Sequence, residues 1–184
     1  WVRAPLDRPV RFLDLCTGSG CLGITLALSV DESTGVLADL EAGACEVAQE
    51  NVEFHQVGDR VEVTQSDGFN ELFDERFDLI ICNPPYVDAE DMAELPPEYQ
   101  KEPAVALASG EDGLDLVRRL LGQAADWLSD EGIMILEVGN TWGLLDREVV
   151  ARTGEPVQWC QFEFGGHGVC VLSKRELNAL YSAF

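Results

Sequence analysis

The chain has few basic residues. Of its 184 residues, 12 are lysine or arginine and 34 are aspartate or glutamate, so its formal net charge is −22. Such an acidic surface repels phosphate backbones, and direct binding to nucleic acid is therefore not expected. The same charge would attract a basic protein partner, although solubility alone also accounts for an acidic surface.

The chain also has little with which to bind a transition metal. It contains two histidines, His55 and His167, and six cysteines, none of them spaced as a C-x-x-C pair. A structural zinc site needs about four such ligands, so no metal is expected. Several cysteines lie within apolar runs, and we expect small buried side chains in a reducing compartment, which indicates the cytoplasm.

Long apolar runs are missing as well. No stretch approaches the roughly 18 consecutive apolar residues of a membrane span, and the first residues do not resemble a signal peptide. The chain begins with Trp1 rather than methionine, so we expect a fragment of a longer protein. Its length is typical of a single domain, and 46% of its residues are hydrophobic and available for a core.

Short apolar runs alternate with amphipathic segments along most of the chain. The predicted strands are residues 10–15, 35–39, 60–64, 77–82, 133–138, 157–164 and 168–172. The predicted helices are residues 21–29, 42–55, 113–128 and 142–152, the first with an apolar side formed by Leu22, Thr25, Leu26 and Leu28. This alternation predicts an α/β fold with a doubly wound, mostly parallel sheet of seven strands. The last two strands, joined by a Gly-rich loop, predict an antiparallel C-terminal hairpin.

Residues 87–111 interrupt this alternation. They contain three prolines and many carboxylates and show no clear hydrophobic period. Long irregular segments inside compact domains are usually functional, so we expect this segment to contribute to a site.

Four residues at the end of the fourth predicted strand form the centre of the predicted site. Asn83-Pro84-Pro85-Tyr86 follow the apolar run 77–82, and the prolines end the strand because they cannot donate to a ladder. In open α/β sheets, ligands bind outside the carboxyl ends of the strands. An amide and a phenol ring at this edge could hold a small planar group that carries an NH2. A plain Pro-Pro turn would also end a strand.

A glycine-rich loop after the first predicted strand indicates a nucleotide-type cofactor. The sequence Gly18-x-Gly20-x-x-Gly23 fits the dinucleotide fingerprint, and Asp39 lies about twenty residues further on. Glycines let the backbone approach a ligand closely, and a helix N-terminus favours an anionic group. Asp39, at the end of the second strand, can accept from both hydroxyls of a ribose.

Two carboxylates favour S-adenosylmethionine over a nicotinamide cofactor. Asp14 lies inside the first strand, where a carboxylate would meet an ammonium group, which a pyrophosphate does not have. Asp67 follows the third strand and could accept from the adenine amine, with Gly68 and Phe69 lining the base. Asp39 and Asp67 could each also be a turn or capping carboxylate.

The chain resembles the class I S-adenosylmethionine-dependent methyltransferases over essentially its whole length. The resemblance is carried by Asp14-Leu15-Cys16-Thr17-Gly18-Ser19-Gly20 and Asn83-Pro84-Pro85-Tyr86. More narrowly, it is similar to the protein-glutamine N(5)-methyltransferases of the HemK-related family. Its similarity to the branch that acts on ribosomal protein L-three includes Val87-Asp88-Ala89-Glu90-Asp91-Met92, Leu107-Ala108-Ser109-Gly110, Glu137-Val138-Gly139-Asn140 and Gly165-Gly166-His167-Gly168-Val169.

The resemblance implies a Rossmann-like fold, with residues 1–184 as one catalytic domain, and methyl transfer to a glutamine side-chain amide in a basic protein. The cofactor residues that it implies are Asp14, Cys16, Thr17, Gly18, Ser19, Gly20, Asp39, Asp67, Gly68, Phe69 and Asn83. It also implies that the Asn83 side-chain oxygen and the Pro84 carbonyl accept the two N–H groups of the amide. Pro85 would hold the loop rigid, and Tyr86 would pack on the flat amide.

The sequence departs from the family in three respects, one of which is that Glu41-Ala42-Gly43 replaces the Ser-Pro-Asp-like turn that usually follows the ribose aspartate. The N-terminal helical domain of family members is absent from this sequence, so recognition of the protein substrate by these residues is expected to be incomplete. Gly68 stands where relatives often carry a bulky residue, which affects how tightly the cofactor is expected to sit.

Four other functions remain open. Within the family, peptide chain release factors are the alternative substrate. A DNA adenine methyltransferase could use the same Asn-Pro-Pro-Tyr because adenine also presents a planar NH2, but the charge of −22 disfavours it. Pro96-Pro97-Glu98-Tyr99 matches a ligand of WW-type domains, which would make the chain a binding module. A dinucleotide oxidoreductase would explain the glycine loop alone.

Overall fold

The computed structural model describes residues 9–73, 76–85, 112–163 and 166–181. The strands in these ranges are β1 (Arg11–Leu15), β2 (Thr34–Asp39), β3 (Val61–Gln65), β4 (Phe77–Cys82), β5 (Leu128–Glu137) and β6 (Val169–Ser173). The α-helices are α1 (Cys21–Ser29), α2 (Ala42–Phe54), α3 (Asp115–Trp127), α4 (Trp142–Thr153) and α5 (Lys174–Tyr181). A short 3-10 helix, Gly139–Thr141, lies between β5 and α4.

The strands form one sheet in the order β3-β2-β1-β4-β5-β6. All neighbouring pairs are parallel except β5 and β6, which are antiparallel. The chain moves outward from β1 to β3 and then returns to β4 on the other side of β1, so the strand order reverses between β1 and β4. This confirms the predicted α/β, doubly wound, mostly parallel sheet and places its switch point beside the glycine loop.

Helices cover both faces of the sheet, which explains why β1 and β2 bury nearly every side chain. Under α1 and α2 lies a smaller core that includes Phe12, Ile24, Leu37, Ala48 and Val52. Under α3, α4 and α5 lies a larger core that includes Leu13, Leu120, Leu121, Met134 and Leu177. Each large apolar side chain buried in this way contributes roughly 1.5–3 kcal/mol to stability.

The helix α3 confirms the most strongly amphipathic segment of the sequence. Its buried residues are Val117, Leu120, Leu121 and Ala124, which recur at the spacing of one helical face. Because the helix follows β4, its N-terminal half lies near the carboxyl edge of the sheet.

The helix α1 buries a different side from the one predicted. Its buried residues are Gly23, Ile24 and Ala27, whereas Leu22 and Leu28 are exposed. A Cβ atom at Gly23 would clash with the Leu37 side chain, so the helix approaches the sheet on its side with the smallest residue. An almost uniformly apolar helix gives no polarity pattern that marks this side.

The predicted C-terminal hairpin is shorter than expected. The described part of segment 157–164 makes one bridge, between Trp159 and Cys170, in place of a strand. The Val157 N–H and the Trp159 Nε1–H both donate to Asp146 Oδ1 of α4, at 3.0 and 2.9 Å, and draw the segment towards that helix. The described sheet therefore has six strands rather than seven.

The final helix, α5, was not predicted. Leu177 and Leu180 are buried, and Glu176 Oε2 accepts from the Ser173 N–H at 2.7 Å where the helix begins. With only eight residues, it spans too few turns for its hydrophobic period to stand out in the sequence.

The cysteines are less buried than expected. All six are free thiols, of which Cys82 and Cys170 are buried. Cys21 is exposed at the start of α1, so the expectation of a buried side chain is wrong there.

Two kinds of feature are absent from the described ranges. No group of three histidine, cysteine, aspartate or glutamate residues there is placed to hold a metal ion. None of the helices in those ranges is both long enough and apolar enough to cross a membrane.

Candidate functional site

Asp14 ties the glycine loop to the first turn of α1. The residue is 1% exposed, and its Oδ2 accepts from the Thr17 hydroxyl at 2.7 Å and from the Gly23 N–H at 2.8 Å. This bonding fixes where β1 ends and α1 begins. The structure thus gives Asp14 a loop-forming role, and contact with an ammonium group stays a prediction.

The loop itself has an unusual backbone conformation. Gly18 and Gly20 have φ angles of 57° and 82°, in the left-handed region that glycine adopts most easily. Cys16 is a non-glycine residue in the same region, with φ of 59°. Backbone strain of this kind concentrates at ligand sites. Gly20 makes no side-chain capping bond at the N-terminus of α1, an end that favours an anionic group.

Asp39, at the end of β2, is hydrogen-bonded directly to the glycine loop. Its Oδ2 accepts from the Gly18 N–H at 2.8 Å, and its Oδ1 accepts from the Glu41 N–H at 3.0 Å. A carboxylate offers about four acceptor positions, so about two remain for hydroxyl groups. The structure therefore brings the predicted loop and the predicted ribose carboxylate together.

The predicted adenine residues follow β3. Asp67 accepts from both terminal nitrogens of Arg119, at 2.9 and 2.5 Å. The Phe69 side chain is 2% exposed and stacks on Trp127, with ring centroids 5.4 Å apart. Phe69 thus packs in the core beneath the turn, and its contact with a base stays a prediction.

Asn83 lies on the other side of the switch point. Leu15 of β1 pairs with Cys82 of β4, so Asn83 emerges next to the glycine loop. Asn83 is exposed, Pro84 is buried and Pro85 is half-buried. Tyr86 and segment 87–111 lie outside the described residues. The described members of the predicted site are thus at one edge of the sheet.

The thiols of Cys16 and Cys82 connect the two halves of this edge. Burial, together with the hydrogen bond to Cys16, raises the pKa of the Cys82 thiol well above its usual value. The Cys82 thiol therefore stays protonated and serves as a packing group between the ends of β1 and β4.

Several residues around the site were not singled out from the sequence. Arg118 and Arg119 both form ion pairs with carboxylates, and the sequence does not indicate that Asp67 is the partner of Arg119. Asn51 of α2 also contacts the glycine loop, because its Nδ2 donates to the Ser19 carbonyl at 2.8 Å. Such partners are far apart in sequence, so only the fold reveals them.

Burial raises the pKa of Asp14 to about 6, against the lowering effect of its bonds from Thr17 and Gly23, and the nearby Asp39 charge raises it further. In the unfolded chain the usual value is 3.8, so between these values the folded protein holds the proton more tightly. The contribution of Asp14 to stability is therefore fully present below the unfolded pKa and is lost as the pH rises through about 6.

We expect the Asp14→Asn variant to gain stability relative to the wild type as the pH rises. The difference in free energy of unfolding should move in favour of the variant by about 1 kcal/mol between roughly pH 5 and pH 7, because only the wild type loses a proton there. Urea unfolding at both pH values measures this. Asp31→Asn, in the exposed turn before β2, is the matched control. A difference that does not vary with pH would contradict the assignment.

The chain matches a known protein family. Residues 4–96 match the family described as methyltransferase small domain. The chain belongs to this family. The match includes the glycine loop, Asp39, Asp67 and Asn83. These residues are therefore interpreted as parts of a methyltransferase domain.

Two curated relatives cover almost the whole chain. The ribosomal protein uL3 glutamine methyltransferase of Francisella tularensis subsp. tularensis is 40% identical over 185 residues, which is 100% of this chain. The protein of the same name from Bordetella pertussis is 46% identical over 178 residues, or 97% of this chain. The chain spans 57% and 58% of the lengths of these two relatives.

Solved structures support the fold. A methyltransferase from Pyrococcus furiosus has a TM-score of 0.67 and 20% identity, over 94% of this chain and 79% of its own. A ribosomal protein L11 methylase from Lactobacillus delbrueckii subsp. bulgaricus has a TM-score of 0.63 and 16% identity, over 94% of this chain and 74% of its own. At these identities the likeness shows a shared fold and no more.

Proposed function

We propose that this protein transfers a methyl group from S-adenosylmethionine to the side-chain amide nitrogen of a glutamine in ribosomal protein uL3. The observation that carries the proposal is the register between β1 and β4, in which Leu15 pairs with Cys82. It sets the glycine loop, which fits a nucleoside cofactor, beside Asn83, which fits a planar amide. A methyl donor and its acceptor need such adjacent sites.

On the donor side, the described carboxylates match the polar groups of the cofactor. Asp39 has acceptor positions left for the ribose hydroxyls after bonding to the Gly18 and Glu41 N–H groups. Asp67 accepts from the adenine amine, and the positive end of the α1 helix dipole favours the carboxylate of the methionine part. Asp14 is buried beneath the loop, where its negative charge favours a nearby ammonium group. S-adenosylmethionine, when bound, supplies a methyl group already activated by the sulfonium charge.

On the acceptor side, the chain supplies orientation. A glutamine amide nitrogen is a weak nucleophile because its lone pair is delocalised into the carbonyl group. Acceptance of its two N–H groups by the Asn83 side-chain oxygen and the Pro84 carbonyl directs the lone pair towards the donor site. Pro85 limits movement of the loop, and the family resemblance implies that Tyr86, which lies outside the described residues, would pack against the flat amide. The methylated nitrogen becomes acidic and releases its proton to water, so no strong base is required.

The charge of the chain fits the proposed substrate. Ribosomal proteins that bind RNA are basic, and a chain with 34 acidic and 12 basic residues attracts them over distances of about a Debye length, near 8 Å at physiological salt. The same charge disfavours a DNA substrate. A ribosomal protein substrate also implies action in the cytoplasm. The names of the two relatives favour uL3 over a release factor.

Two measurements test the proposal in order. Calorimetry should show binding of S-adenosylmethionine and none of NAD, and this step requires only the cofactor side of the site. Mass spectrometry of purified uL3 after incubation with the full-length enzyme and S-adenosylmethionine should then show one added methyl group on a glutamine. A release factor is the parallel substrate. Methylation of the release factor alone would overturn the uL3 assignment, and binding of NAD alone would overturn the reaction.

A further inference from the structure

Arg119 of α3 reaches across the carboxyl edge to the turn after β3. Its Nη1 donates to Asp67 Oδ2 at 2.9 Å and its Nη2 to Asp67 Oδ1 at 2.5 Å, although the residues are 52 positions apart in sequence. Two such parallel bonds from a planar guanidinium fix the plane of a carboxylate as well as its position. The Asp67 side chain therefore has one defined orientation.

The backbone of this turn does not depend on Arg119. The Asp67 N–H donates to Glu71 Oε2 at 2.9 Å, and the Ser66 hydroxyl donates to the Gly68 carbonyl at 2.8 Å. These bonds come from within the turn and hold its backbone. Arg119 therefore fixes the orientation of the Asp67 side chain and not the conformation of the turn.

The pair adds little to stability. The Arg119 and Asp67 side chains are 43% and 40% exposed, and ion pairs this open to water contribute at most about 1 kcal/mol. Its hydrogen bonds from Arg119 lower the pKa of Asp67, so the carboxylate is charged at neutral pH. A contact that stabilises little but orients a charged acceptor is suited to ligand recognition.

Arg119 leaves acceptor capacity on Asp67 for a ligand. A carboxylate has about four acceptor positions, of which the guanidinium takes two. The bonds to Asp67 raise the pKa of Arg119 against the lowering effect of burial, so the guanidinium is charged and is held at the turn after β3. This is where the proposed site holds the nucleoside.

We propose that Arg119 is a positioning residue that determines base specificity through Asp67. It holds the Asp67 carboxylate in the orientation that accepts the amine of adenine, and it thereby sets the preference for adenine over a base with a carbonyl oxygen at that position. The inference rests on the proposed S-adenosylmethionine site, which the same experiment tests separately.

The test compares two ligands that differ at one atom of the base. Calorimetry gives the Kd of S-adenosylhomocysteine and of its inosine analogue, in which a carbonyl oxygen replaces the 6-amino group. In the wild type, adenine should bind more tightly. Arg119→Met keeps the apolar stem but removes the guanidinium. We expect the Kd of the inosine analogue divided by the Kd of S-adenosylhomocysteine to fall roughly fivefold.

Arg118→Met is the matched control. Arg118 is the adjacent arginine on the same helix, and it pairs with Asp112, Asp115 and Glu148 instead of Asp67. Arg118→Met removes the same positive charge as Arg119→Met, and its ratio of the two Kd values should equal that of the wild type. In an Asp67→Ala background, Arg119→Met should add no further change, because a residue that acts through Asp67 has no effect without it.

Each outcome decides the question. The inference is overturned if Arg119→Met keeps the wild-type ratio, if Arg118→Met lowers it equally, or if the effect persists without Asp67. If circular dichroism shows that Arg119→Met does not fold, Arg119→Lys replaces it. Lysine keeps the positive charge but lacks the planar guanidinium that makes two parallel hydrogen bonds. A wild-type protein that binds neither ligand would instead remove the proposed function.

Discussion

Replacement of Asp39 with alanine is expected to weaken S-adenosylmethionine binding by roughly 1.5–3 kcal/mol, the range for hydrogen bonds to a charged group. Two effects act in the same direction. The ribose hydroxyls lose their acceptor, and the Gly18 N–H, now 2.8 Å from Asp39 Oδ2, loses the bond that braces the loop. Calorimetry of the purified variant measures the loss directly.

Two further variants separate these effects. Asp39→Asn keeps one oxygen that can accept from the Gly18 N–H, so it should retain the loop and lose only part of the affinity. Asp31→Ala removes the same charge from an exposed turn at the opposite edge of the sheet and should bind like the wild type. Unchanged affinity in a folded Asp39→Ala variant would remove this residue from the cofactor site.

The fold follows from the sequence wherever the local pattern and the packing agree. The segment of α3 repeats apolar residues every three or four positions, and Val117, Leu120, Leu121 and Ala124 are buried as predicted. The hydrophobic pattern does not predict the buried side of a helix where a close approach of the helix to the sheet determines that side. Gly23 turns towards Leu37 because nothing larger fits there, and the exposed leucines of α1 could not reveal this.

The sequence predicted where in the fold the candidate residues lie but not which groups they contact. Asp39 and Asn83 were placed at strand ends, and the parallel register sets those ends at one edge. The sequence could not show that Asp39 accepts from Gly18 or that Asp67 pairs with Arg119. Those contacts depend on how far each helix lies from the sheet, a distance set by the summed packing of the core. Local sequence carries little of that information.

Asn83→Ala is expected to lower the rate of methyl transfer by at least about 10²-fold while the fold is kept. Asn83 is exposed at the carboxyl edge, so its loss leaves no cavity in the core. Its proposed hydrogen bond orients the amide nitrogen, and a misaligned nucleophile loses about this much in rate. Cofactor affinity should change less, because the loop after β1 and the carboxylates after β2 and β3 supply most of those contacts.

Single-turnover rates with saturating cofactor measure this effect apart from product release. Asn178→Ala, on the exposed surface of α5, removes the same side chain away from the carboxyl edge and should react at the wild-type rate. A wild-type rate for Asn83→Ala, with a native circular dichroism spectrum, would remove Asn83 from the mechanism. The proposed reaction would then rest on the similarity to relatives alone.

Asn83→Asp distinguishes orientation from charge. Aspartate keeps an acceptor oxygen in nearly the same position, so a role limited to hydrogen bonding predicts a nearly normal rate. The added negative charge lies beside a sulfonium cation, which it stabilises more than the transition state, where that positive charge is dispersed between the sulfur and the attacking nitrogen. We therefore expect Asn83→Asp to bind S-adenosylmethionine at least as tightly as the wild type and to react more slowly. Weaker cofactor binding by Asn83→Asp would show that the sulfonium lies elsewhere, and a faster reaction would show that Asn83 does not face the reacting atoms.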